Sequence, residues 1–289
     1  MTSKRHHLRD PFIELKSAIK IFYISFLPLL FPSTAVAELF ATDLLGTWEV
    51  SQVHTNLESG RKSYYHWDSP LLRWRIFTLS EKEITAAELN TTTTCNNPST
   101  TQKRVYLDDY LKSNLGGYGE KSRNSPIDDY KLNLPKNYQA DIIIVKCENQ
   151  IWNELLGASY LPSKKEDSDG SWLLLLNKKY MILRWHDETL LRLSKIPPPS
   201  KPSPSFSCEK SKHITEITIC KSFELSGLDK SIASAFDLLL NETLRESIDV
   251  LEMRQQQKAW LRQRNACGEN QSCLAKVMTM RLEQLSVFD

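Results

Sequence analysis

"IPPPSKPSPS", residues 196–205, divides the chain into two patterns. Proline has no backbone N–H and a fixed φ, so this density of it continues neither a helix nor a central strand. It favours extended polyproline geometry and predicts a semi-rigid spacer. The apolar residues on its two sides then decide the fold, because they recur at two different periods.

Upstream the period is two. "GTWEVSQVHT" alternates from Trp48 through Val50 and Val53, and "LLRWRIFTL" and "EKEIT" read as the next strands. Nearer the prolines, "SWLLLL", "KYMILRW" and "TLLRLSK" are separated by "NK" and "HDE", short polar turns that suit an antiparallel meander. Residues 86–135 are rich in Thr, Asn, Gly and Ser and predict a long loop region. Cys95 and Cys147 flank that region, and their pairing would tie it to the strand "DIIIVKC".

Downstream the period is helical. Leu225, Leu228, Ile232, Ala235, Leu239 and Thr243 fall at three- and four-residue steps, with Ser222 placed to cap the first turn. Gly227 interrupts that pattern and predicts a late start or a bend, since Gly costs about 1 kcal/mol relative to Ala in a helix. "DVLEMRQQQKAWLRQRNAC" is a second long helix with few apolar residues, so one face must be solvated. "SCLAKVMTMRLEQL" closes the chain, with Leu274, Val277, Met278, Leu282 and Leu285 on one side. The fold class is therefore α+β multidomain: an antiparallel β-barrel or sandwich, a Pro-rich linker, and a small helical domain. The expected boundaries are 1–37, 38–196, 197–205 and 206–289.

The first of those segments sets the compartment. Lys4, Arg5, Arg9, Lys16 and Lys20 precede the apolar run "IFYISFLPLLF" and the small residues of "PSTAVAELF". That order is a secretory signal, with cleavage expected after Ala37. The run falls short of the roughly 20 residues needed to span a bilayer, and Pro28 and Pro32 interrupt it. The mature protein is thus expected in the periplasm or outside the cell, without a stable membrane anchor.

Export changes the reading of the cysteines. All six (Cys95, Cys147, Cys208, Cys220, Cys267, Cys273) lie in the exported part, and an even count in an oxidising compartment favours disulfides. A zinc site would want Cys-x2-Cys or nearby histidines, and only His213 lies close. Local pairing, Cys208 with Cys220 and Cys267 with Cys273, is one of three connectivities for the last four. Each such loop is short and self-contained, and Gly268 supplies the turn in "GENQS". A thin-cored domain of this size commonly needs such staples.

Charge excludes a class of partner. The chain carries +2, of which the first 37 residues supply +3, so the exported part is close to neutral at −1. It holds no lasting basic block that would mark a nucleic-acid footprint. His54, His66 and His186 have no accompanying nucleophile motif, and the acidic stretches "SKKEDSDG" and "HDE" sit in turns. No catalytic residue, cofactor or metal is expected.

Two resemblances carry the functional expectation. Gly46-Thr47-Trp48 resembles the start of lipocalin-like (calycin) barrels, which implies Arg192 packed over the Trp48 ring; a plain barrel or sandwich with Trp48 in its core is the alternative. The second is stronger. The run "SFSC…EITIC…LSGLDKSIASAF…QQQKAWLRQRNAC…SCL…RLEQL" resembles the LprI-type lysozyme-inhibitor domain. The matching positions are Cys208, Cys220, Leu228, Asp229, Gln257, Trp260, Leu261, Arg264, Cys267 and Cys273. Three departures stand out: His213 where the family often has a capping Thr, Phe236 where Tyr is common, and Asn265 where Asp is usual. The lost cap would cost the short helix about 1 kcal/mol. The resemblance implies a small exported helical protein that binds a lysozyme, of the c type, and blocks its cleft without catalysis. Trp260 and Arg264, one helical turn apart, are then either a binding anchor or the core plug of a small bundle. Other lysozyme inhibitors carry Ser-Gly-x-x-Tyr, but "SGRKSY" has one residue too many. The competing expectation is an envelope carrier that holds a small ligand inside the barrel.

Overall fold

A computed structural model describes residues 42–56, 64–87, 92–115, 124–153, 155, 169–186, 188–246 and 250–286, all within one compact unit. The signal segment 1–37, residues 59–63 of "SGRKSY" and residues 163–168 of "SKKEDSDG" lie outside the described residues.

Among the described residues the sheet has ten strands: β1 (Gly46–His54), β2 (Ile76–Leu79), β3 (Glu83–Ala87), β4 (Thr92–Asn96), β5 (Pro98–Tyr106), β6 (Gln139–Cys147), β7 (Gln150–Ile151), β8 (Trp172–Asn177), β9 (Tyr180–Arg184) and β10 (Leu190–Lys195). Every pairing is antiparallel, in the order β4-β3-β2-β1-β10-β9-β8-β6-β5, with β7 added to β6. The two ends of that order, β4 and β5, are consecutive in the chain and separated by Asn97 alone, with φ of 47°. One segment therefore serves both ends of the sheet, and the sheet must curl into a half-barrel to allow it. The Cys95–Cys147 disulfide bridges β4 to β6 across a Cα–Cα distance of 5.2 Å, so it staples the seam.

This corrects the long loop expected over residues 86–135. Two strands and the helices α1 (Leu107–Asn114) and α2 (Pro126–Asp129) occupy most of it. Threonine favours strands through its β-branched side chain, but "TTTTC" and "STTQKRVY" show no apolar alternation. The reason is position: residues 101–104 of β5 are exposed on both faces at the sheet edge.

The inner face is filled. Trp48, Val50, Phe77, Val145, Met181, Leu183, Trp185 and Leu193 pack there, nearly all with no exposed surface. Arg192 does not cover Trp48. It lies opposite Gln52, hydrogen-bonds that side chain at 3.1 Å, and stacks over Tyr180 at 4.5 Å. Lys195, the register partner of Trp48, reaches over the indole instead, at 5.2 Å. "DIIIV" and "WLLLL" run apolar without alternation because both faces are buried. Ile143 and Leu173 face inward, while Ile142, Trp172 and Leu174 meet Leu107, Leu111, Ile127 and Tyr130 from α1, α2 and the turn after them.

After the proline run come α3 (Ile214–Ile219), α4 (Phe223–Glu246), α5 (Val250–Ala266) and α6 (Gln271–Leu285). Ser222 caps α4, its Oγ accepting from the Leu225 amide at 3.2 Å, and Leu225, Leu228, Ile232 and Ala235 bury the expected stripe. The two halves are not held apart. Ser231 donates to the Arg73 carbonyl at 2.9 Å, and Lys230 meets Glu49 of β1 at 2.5 Å. Gly227 explains itself here: a Cβ would stand 2.2 Å from the Trp74 carbonyl oxygen, so only glycine admits the contact. The proline run ends tied down, with the Ser205 amide and hydroxyl donating to Asp229 Oδ2 at 2.7 and 2.5 Å.

Candidate functional site

The helical region is pinned first by sulfur. Cys208 bonds Cys220 and Cys267 bonds Cys273, the local pairing, and all six cysteines are oxidised. Gly268 takes φ of 58° to turn the chain between α5 and α6, and Asn270 Oδ1 caps α6 on the Cys273 amide at 3.0 Å. Among the described residues no helix is long and apolar enough to cross a membrane, and no cluster of His, Cys, Asp or Glu is arranged to hold a metal.

Trp260 and Arg264 are brought together and turned inward. They are the two buried residues of α5, at 6% and 4% exposure. The Arg264 guanidinium lies 5.7 Å from the Trp260 ring centre and reaches Asp229 Oδ1 on α4 at 3.5 Å and Glu216 on α3 at 4.0 Å. It also donates to Asn265 Oδ1 at 3.0 and 3.2 Å. Burial pushes the Asp229 carboxyl above its ordinary range, with the Ser205 hydrogen bonds and the Arg264 charge pulling the other way. Burial likewise lowers the Arg264 pKa. This pair joins three helices at once.

His213 corrects a second expectation. Its Nδ1 accepts from the Thr215 amide at 3.2 Å, so α3 keeps a cap without the threonine.

A recess of the helical region lies between α4, α5 and α6. A groove of about 370 Å³ is lined by Phe236, Leu239, Met253 and Leu285, with Gln256, Gln284 and Arg281 supplying its polar wall. Arg281 is 9% exposed. Its Nε and Nη2 donate to Gln257 Oε1 at 3.1 and 2.8 Å, and Nη1 donates to Gln284 Oε1 at 3.4 Å. Three of the five guanidinium N–H donors are used this way, all on neutral amides. No carboxylate of the described residues pairs with it, and burial holds its pKa below the usual guanidinium range. Removing a cation from water without a counter-ion costs several kcal/mol in proteins. The α5 wall is open, with Leu251 at 69% exposure, and Met280 of α6 is also exposed.

Sequence reasoning missed Arg281, although the signal was present. It lies three residues after Met278 and four before Leu285, on the apolar stripe of α6 where a charge does not belong. No family model, curated protein or solved structure matches this chain.

Proposed function

We propose that this protein works by binding rather than catalysis: an exported, disulfide-pinned chain that docks on a lysozyme through the α4–α5–α6 groove and blocks it. Arg281 carries the reading. A guanidinium sunk in an apolar groove, with spare donors and, among the described residues, only neutral amides as hydrogen-bond partners, is complementary to a carboxylate on a partner. Such a pair is bidentate and dry, the kind of contact that dominates interface energetics. Phe236, Leu239, Met253 and Leu285 supply the apolar frame around it. Three disulfides suit an oxidising location outside the cytoplasm, where lysozymes act. They also keep the helices rigid, and a preorganised surface loses less entropy on binding. The LprI-type resemblance of residues 205–286 names the partner class, and Phe236, one of its departures, lines the groove.

The test is inhibition of c-, g- and i-type lysozymes on cell walls by the oxidised mature chain. Inhibition of the c-type enzyme is expected, weakened about 30-fold or more by Arg281→Gln, as for a hot-spot residue of 2 kcal/mol or above. Met253→Asp at the groove wall, half-buried and remote from the core, should weaken it without loss of fold. No inhibition of any class at micromolar excess would remove the reading, and full inhibition by both variants would remove the groove from it.

A further inference from the structure

The outer face of the half-barrel carries a second recess, unconnected with the groove just described. A cleft of about 380 Å³ lies between β1 and the turn that follows α2, lined by Gln52, His54, Trp67, Lys131, Asn133 and Leu134 together with Ile127 and Asp128. Small-ligand sites fall at about 300–1,000 Å³.

Its floor is an imidazole. His54 is 3% exposed, and its Nδ1 lies 2.7 Å from the Tyr130 carbonyl. A carbonyl only accepts, so Nδ1 carries the proton and Nε2 holds the lone pair. Nε2 is buried and has no hydrogen-bond partner among the described residues. Burial lowers the His54 pKa; the Tyr130 carbonyl and Asp68 oppose that shift and Arg192 reinforces it. The ring is therefore neutral at pH 7 and offers an acceptor.

Two residues along β1, on the same face, Gln52 offers the opposite. Its Oε1 already accepts from Arg192 at 3.1 Å, which leaves the amide NH₂ as the group it has to give. An acceptor beside a donor is what a hydroxyl needs, since a hydroxyl is both. Trp67 stands edge-on to His54 at a ring distance of 4.8 Å and is held there through its neighbour Asp68, whose amide donates to the Val53 carbonyl and whose Oδ1 accepts from the Val53 amide. Asp128 is engaged by Lys136 at 2.7 Å, and Lys131 lies over the same indole at 5.2 Å. The polar groups beside His54 and Trp67 are neutral amides, those of Gln52 and Asn133.

We propose that this cleft binds a neutral saccharide, one pyranose ring lying against Trp67 with a hydroxyl bridging His54 Nε2 and the Gln52 amide. A cationic ligand finds Asp128 already paired with Lys136, and a purely apolar one would leave Nε2 unpaired.

The full-length oxidised protein, labelled with ¹⁵N-histidine, is titrated with glucose, galactose, N-acetylglucosamine, lactose and chitobiose, with glycerol as control. The expected result is a saturable upfield movement of the His54 Nε2 resonance for at least one sugar, accompanied by a saturable tryptophan fluorescence change. Gln52→Leu, which keeps the side-chain length, should weaken that binding about five- to tenfold, as for one lost neutral hydrogen bond. A resonance that no sugar moves overturns the proposal. So does a shift that glycerol reproduces, or one that Gln52→Leu leaves unchanged.

Discussion

Arg264 and Asp229 face each other at 3.5 Å, both buried, one on α5 and the other on α4. Removing one member of such a pair leaves the other as an uncompensated charge, at about 3–5 kcal/mol. Arg264→Ala should lose stability of that order at neutral pH. The deficit then depends on pH with a definite sign. The Asp229 carboxyl already has its folded pKa raised by burial, and the variant raises it further. A raised carboxyl contributes stability below its unfolded pKa of about 3.9, and loses it as pH rises through the folded value. The gap between variant and wild type, read by urea unfolding, should therefore be widest at neutral pH and shrink towards acid. A gap independent of pH would mean that Asp229 is not the group left stranded. The spacing of Trp260 and Arg264 in the sequence showed that they belong together, whereas their inward orientation came from the packing of α3 and α4 against them.

At the scale of an element, α4 was legible in its stripe, its cap and its approximate length. Its one irregularity was not. Gly227 reads as a weakness in a lone helix, where replacement by Ala gains about 1 kcal/mol. Against the Trp74 carbonyl the same methyl has no room. Gly227→Ala should destabilise the protein by about 1–3 kcal/mol, the cost of forcing atoms into a filled contact. A stabilised variant in thermal melts would show that α4 does not press on the Trp74 turn. The strands follow the same rule. β1, β3, β8, β9 and β10 announce themselves by alternation or by apolar runs. β4 and β5 hide behind threonines, because an edge strand needs neighbours on one side only and no apolar face along its exposed half.

For the whole molecule, the seam of the half-barrel is the feature that no local pattern contains. Cys95 and Cys147 are separated by 52 positions and meet where the ends of the sheet come together. Closing a loop of that length removes about 4 kcal/mol of unfolded-state freedom. The Cys95→Ser/Cys147→Ser double variant should lose stability near that value, read by urea unfolding, while the two helical disulfides stay formed by mass. A loss well below it would place the seam's strength in strand pairing alone. The expectation of export rests on the order of basic, apolar and small residues in the first 37 positions, and the division into strands and helices follows from a change of period at the prolines. These are determined by the sequence because each depends on residue type or on neighbours a few positions away. The curl of the sheet, the filled inner face, the docking of α4 on the Trp74 turn, and the buried cations and imidazole depend on residues far apart in the chain. Burial and pairing across such distances are set by packing, and only the tertiary structure decided them.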